Sequence, residues 1–304
     1  MPKQTGVRYI KLGAKGAWED ECITQGVVRL GFGSGKEDRF QLCTDGRWDE
    51  LRALFISKGH TKGVATDFTN QTRLFFEDDG STVWITFVGE RLYWGKLDDS
   101  PPVRHGEGDS ACRRVVGGWR CTDAHGELLT KDKLSGALTK LASYQGTSCA
   151  VDVADYVLRR IAGEKMPQVE RAIAAVAETK RAVVPLLRLL DPKDFELLVD
   201  LVFSSSGWRR LGAVGKTQKT LDLDLVLPST GERAFVQVKS KTSSAELGEY
   251  VKAFNAEHHD RMFFVFHTGD ADTDDPAVTV IGPAKLAELV IDAGLVNWLI
   301  EKVS

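Results

Sequence analysis

"LDLDLVLPSTGERAFVQVKSK" occupies residues 221–241. Two aspartates alternate with leucines, a Pro-Ser-Thr-Gly turn follows, and a valine-rich run then carries Gln237 and Lys239. Strand side chains alternate between faces, so Asp222, Asp224 and Val226 share one face, and Leu221, Leu223, Leu225 and Leu227 the other. Gln237 and Lys239 likewise share a face of the second strand. A turn centred on Thr230 and Gly231 brings Asp224 beside Gln237 and Asp222 beside Lys239, whereas a one-residue slip separates the two sets. In that register a carboxylate, an amide oxygen and an ammonium crowd one side of a sheet. Magnesium takes oxygen ligands of this kind, with waters and substrate phosphate completing its shell. A lysine beside it can orient or deprotonate the attacking water, or neutralise charge developing on a phosphoryl group. The competing reading is the solvated face of an ordinary hairpin, its charges pairing to little effect.

The segments around the hairpin organise it. In "LDPKDFELLVDLVFSSSGW", Asp191 is placed to cap a helix with Pro192 in its first turn, and Phe195, Leu198, Val199, Val202 and Phe203 form its buried stripe. Glu196 and Asp200 lie four apart to one side of that stripe. Ser204–Ser206 before Gly207 reads as a helix exit. After the hairpin come a helix over residues 245–257, a strand "RMFFVFHT", and a final strand and helix. The order α–β–β–α–β–β–α predicts a mixed sheet flanked by helices. His258 and His259 read as cations at the end of the 245–257 helix. "RRLGAVGKT" and "RLGFGSGKE" lack the first glycine of a phosphate loop and read as turns.

"FELLVDLVFSSSGW", "VGKTQKTLDLDLVL" and "FVQVKSK" together resemble the Mrr-like branch of the PD-(D/E)xK nucleases, over residues ~190–285. That family commonly carries glutamine at the second acidic position, giving D…QxK. The resemblance implies a restriction-endonuclease-like α/β fold and hydrolysis of DNA phosphodiesters with Mg²⁺, for which Mn²⁺ can substitute. It matches Asp224 to the metal-binding aspartate, with Asp222 as second choice, Gln237 and Lys239 to the QxK pair, and Glu196 to the helix glutamate that completes the site. Metal ligation thus falls to Asp224, Gln237 and Asp222. Because glutamine is a poorer metal ligand than glutamate, a catalytically silent domain that only holds nucleic acid is the rival reading, and a repair nuclease for damaged or branched DNA a third.

Residues 1–152 have another texture: β-rich α+β with short helices. Val83–Val88 and Arg91–Lys96 read as a hairpin. Asp45 is placed to cap a helix carrying Trp48, Leu51, Leu54 and Phe55, and Thr61 one carrying Val64, Phe68 and Phe75. Five of the seven tryptophans fall here: Trp18, Trp48, Trp84, Trp94 and Trp119. "GAWEDECI" sets Trp18 beside Glu19 and Asp20, and "RRVVGGWRC" sets Trp119 beside Arg120. Aromatic faces stack on bases, acids read base edges and arginines hold phosphates, so these five residues are candidates for a DNA-binding pocket. The competing role is core filling, which the alternation of "VWITF" assigns to Trp84. The pairing of such a domain with an Mrr-like nuclease resembles modification-dependent restriction enzymes, whose readers are often PUA-superfamily domains of the SRA or EVE kind. The resemblance implies double-stranded DNA carrying modified bases as partner.

At 304 residues the chain is long for one core. The composition shift at Asp152 gives a first domain over 1–152, a helical connector over 153–190 and a nuclease domain over 191–304. A net charge of −3, balanced across both halves, offers no basic surface of its own as evidence for nucleic acid. The five cysteines lack CxxC spacing, which argues against zinc and a disulfide framework. No apolar run suits a signal peptide or membrane span, so no membrane partner and a cytoplasmic location are expected. Cutting both strands with one site per chain would call for a homodimer.

Overall fold

A computed structural model describes residues 6–31, 38–105, 110–211, 222–254 and 259–304. The protein is a mixed α/β chain that divides into two compact units, Met1–Lys165 and Met166–Ser304. The stretch expected as a connector is shared between them. Helix Ala154–Ala162 places Val157 in a core of the first unit. Helix Pro167–Leu187 places Val183 and Leu187 in the core of the second.

In the second unit a five-stranded sheet runs in the order Val278–Ile281, Arg261–Phe266, Glu232–Lys239, Leu223–Leu227, Arg209–Arg210. The first three strands are mutually parallel, and the last two add antiparallel pairs. Leu223, Leu225, Ala234, Val236 and Val238 bury one face against Phe195, Leu198 and Val199 of helix Pro192–Ser205. Phe235, Phe264 and Phe266 bury the other face, with Leu247 and Phe254 of helix Ser244–Phe254. Each large side chain so enclosed contributes roughly 1.5–3 kcal/mol, so the sheet is fixed from both sides. Asp191 caps the first of these helices as expected, accepting from the N–H groups of Lys193 at 2.8 Å and Asp194 at 3.1 Å. That helix exits through Ser206 and Gly207, the glycine at φ 89°. The last helix is interrupted, running Pro283–Asp292 and then Val296–Val303, with Gly294 at φ 70° between.

The hairpin register departs from the expected one. Leu227 pairs with Glu232 and Asp224 with Phe235, a shift of two residues. Pro228 has no N–H to continue the ladder, so the loop takes the four residues 228–231, and Gly231 closes it at φ 76° with its N–H on the Leu227 carbonyl at 2.8 Å. An even shift preserves the faces but changes every cross-strand neighbour.

In the first unit, Val7–Ile10 lies between Val83–Val88 and Ser148–Ala150, and Arg91–Lys96 pairs with Val83–Val88 as the expected hairpin. A second sheet holds Val27–Leu30, Ala111–Arg114 and Val103–Arg104. Three helices, Arg39–Thr44, Trp48–Ser57 and Lys62–Phe76, stand where two were expected. The additional one accounts for Asp45: its side chain accepts from Gln41 of that preceding helix at 2.7 Å, and the Trp48 helix starts at Arg47 without a side-chain cap. Thr61 does cap its helix, through the Val64 N–H at 3.4 Å, although Val64 itself faces solvent. Trp84 is fully buried, as expected, although its strand is buried on both faces, with Val83, Ile85 and Phe87 in one cluster and Trp84 in another. Among the described residues no helix is long and apolar enough to cross a membrane. Leu221, His258 and the glycine-lysine stretches of both rejected phosphate-loop sequences lie outside the described residues.

Candidate active site

Asp222, immediately before its strand, is the centre of the arrangement. It lies one residue before the Leu223–Val236 pair, and its backbone N–H donates to Val236 O at 3.3 Å. One carboxylate oxygen accepts from the Val238 N–H at 2.7 Å and from the Gln237 side-chain amide. Burial pushes this carboxyl above its usual range, against the Val238 N–H, Lys239, the Gln237 amide and Arg210. Arg210 reaches the Asp222 carbonyl at 3.3 Å and the Asp200 carboxylate at 3.5 Å. Glu196, half-buried on helix Pro192–Ser205, is also pushed up, by burial first and by the Asp222 charge second. Helix, loop and strand thus bring Glu196, Asp222, Gln237 and Lys239 into one electrostatic neighbourhood.

Gln237 is 4 % exposed, and its Oε1 has no hydrogen-bond partner among the described residues. A buried amide oxygen without a partner is costly. Lys239 closes the strand, with its ammonium 3.5 Å from Glu246 Oε1 and 4.9 Å from the centroid of the Tyr250 ring. Neither Glu246 nor Tyr250 was singled out in the sequence. Their signal was the acid and aromatic four apart in the helix directly after the QVK strand, which places both on one helix face.

Asp224 is elsewhere. Arg233 Nη2 contacts both of its oxygens, at 2.8 and 3.1 Å, and His259 Nε2 lies 3.2 Å from Oδ1. The register puts it across from Phe235, not Gln237, so it does not share the arrangement around Asp222. His259 lies beyond helix Ser244–Phe254, and its ring belongs to this cluster. Among the described residues no three His, Cys, Asp or Glu side chains are grouped to hold a metal ion.

In the first unit, Trp18 precedes helix Glu19–Gln25, and the Arg29 guanidinium covers its ring at 4.1 Å. Arg29 is fixed by Glu21 at 3.1 Å and Ser110 at 3.2 Å. Trp18 lines a cavity of about 370 Å³ together with Lys11, Gln145 and Thr147. Glu19 is half-buried and its carboxyl is raised by burial and then by Asp20, while Asp20 is exposed. Trp119 packs on the core and donates its indole N–H to Val27 O at 2.9 Å. Arg120 stacks 5.3 Å from the Trp94 ring. Cavity lining thus falls to Trp18, and Trp119 fills the role of core packing.

Gly31 is what lets Trp18 sit there: a Cβ at this position would lie 2.2 Å from the indole Cη2. Gly31→Ala is therefore expected to cost about 1–3 kcal/mol by overpacking and to alter tryptophan fluorescence. Denaturant unfolding followed by fluorescence checks it, and parental values for both would contradict the packing.

No protein family matches the chain, and neither a curated protein nor a solved structure matches it.

Proposed function

We propose that the second unit is a Mg²⁺-dependent DNA endonuclease of the PD-(D/E)xK type in its D-QxK form, and that the first unit reads the DNA, with a modified base as the discriminating feature. The observation that carries the reading is the placement of Asp222 against Gln237, with the amide oxygen buried and without a partner among the described residues. The donors suit a hard cation. Burial raises the Asp222 carboxyl and strands the Gln237 oxygen, and a divalent ion bound by oxygens would relieve both costs. Asp222 and the Gln237 amide oxygen would hold the ion, and Glu196 would complete the site. When bound, the ion supplies charge stabilisation and an activated water for phosphodiester hydrolysis.

The chain's own residues supply the rest. Lys239 presents a held ammonium to developing phosphoryl charge. Arg210, fixed between Asp200 and the Asp222 carbonyl, adds positive charge beside the carboxylates. In the first unit, Trp18 supports an aromatic face at a cavity whose volume accommodates an extruded base. The restriction-endonuclease-like fold of the second unit and a PUA-like reader belong to the same proposal, as does a homodimer for cutting both strands.

Plasmids with and without modified cytosine, incubated with Mg²⁺ or EDTA, test it. Cleavage of the modified plasmid alone, abolished by EDTA, is the expected outcome. In binding assays Trp18→Ala should remove the preference for modified duplex, since base–aromatic stacking is worth roughly 1–3 kcal/mol. Binding without cleavage under every metal condition would favour a silent nucleic-acid-binding protein. Cutting confined to branched or damaged DNA would favour repair.

A further inference from the structure

We infer that Glu246 and Tyr250 are positioning residues that hold the Lys239 side chain in one place, so that its amino group donates to the reacting phosphate from a fixed position. The inference rests on the nuclease reading and extends it. Lys239 ends strand Glu232–Lys239, and Glu246 stands in the first turn of helix Ser244–Phe254, with Tyr250 one turn later. One Glu246 oxygen lies 3.5 Å from the lysine Nζ. The other accepts a hydrogen bond from Thr242 Oγ1 at 3.1 Å. Thr242 is buried and paired with Gly269 in a two-stranded ribbon, so Glu246 is itself anchored to the fold. From another side the Tyr250 ring faces the ammonium at 4.9 Å, within cation–π range.

An exposed lysine–glutamate pair contributes little, because two long side chains must be ordered to make it. Here the carboxylate is already tied down, and the lysine side chain is only 27 % exposed. A free lysine samples many rotamers; a carboxylate edge and a ring face remove most of that freedom before substrate arrives. Both contacts fix where the side-chain nitrogen of Lys239 sits. Its remaining N–H groups can donate to a phosphate oxygen, where preorganised charge acts without reorganisation.

Steady-state cleavage of a susceptible plasmid with Mg²⁺ tests the inference, using the full chain, Glu246→Gln, Glu246→Asp and Tyr250→Leu. Glu246→Gln should lower kcat about 10–100-fold, the scale of a misplaced catalytic group, with KM for DNA within about twofold of the parent and an unchanged circular dichroism spectrum. Glu246→Asp should recover part of the loss, and Tyr250→Leu should lower kcat in the same sense. Parental kcat in both Glu246→Gln and Tyr250→Leu, with the parent cutting normally, overturns the positioning role and leaves the nuclease reading intact. A loss carried by KM also overturns it. A parent that cuts nothing overturns both.

Discussion

Lys239→Ala is expected to lower DNA cleavage by about 10²–10³-fold, the usual cost of removing one preorganised charge donor, while unfolding midpoint and DNA affinity stay near the parent's. The side chain lies at the end of its strand and belongs to neither buried cluster of the second unit, so its truncation opens no core cavity. Burial works against its charge, yet Tyr250, Glu246 and Asp222 hold its pKa above the ordinary lysine value. Lys239→Arg keeps a permanent charge without a usable base, so it should retain more activity than the alanine variant. Single-turnover cleavage with purified, folded proteins measures both. Near-parental cleavage by Lys239→Ala would remove the lysine from the chemistry.

How much of this could be read in the sequence follows the range of the forces involved. The cap at Asp191 was legible because the aspartate, the following proline and the apolar stripe act within two helical turns. The faces of the hairpin were legible because side-chain alternation has period two, and Leu223, Leu225, Val236 and Val238 all point into one core. The register was not legible, because it turns on whether the loop takes two residues or four. Pro228 was the available signal: without an N–H it cannot extend the pairing beyond Leu227. Asp45 misled because a short preceding helix, capped by Asp38 at 2.9 Å, had already claimed it. Non-local contacts were out of reach altogether. Nothing near Asp224 in the sequence announces Arg233 or His259 as its partners, and nothing near Lys239 announces that Thr242 ties Glu246 in place.

The two aspartates of "LDLDL" separate cleanly by substitution. Asp222→Asn is expected to abolish Mg²⁺-dependent cleavage with little loss of stability, and Asp224→Asn to leave Mg²⁺ activation near normal while lowering the unfolding midpoint. The asymmetry follows from the register. Asp222 faces Gln237 and couples to Glu196, where a cation would be held, and its burial already disfavours the charged form in the free protein. An asparagine there keeps an acceptor for the Val238 N–H but loses the anionic ligand that a hard cation requires. Asp224 instead pairs with Arg233 and contacts the His259 ring, and it is 22 % exposed beside a 5 % exposed imidazole. Neutralising it leaves the guanidinium short of its counter-charge in a partly screened setting, with a cost of about 1–3 kcal/mol. Metal titrations of cleavage and urea unfolding curves, run on both variants, give the two readouts. If Asp224→Asn loses metal activation while Asp222→Asn retains it, the ligand role passes to Asp224. The cation would then have to displace Arg233 and His259 from that carboxylate on binding.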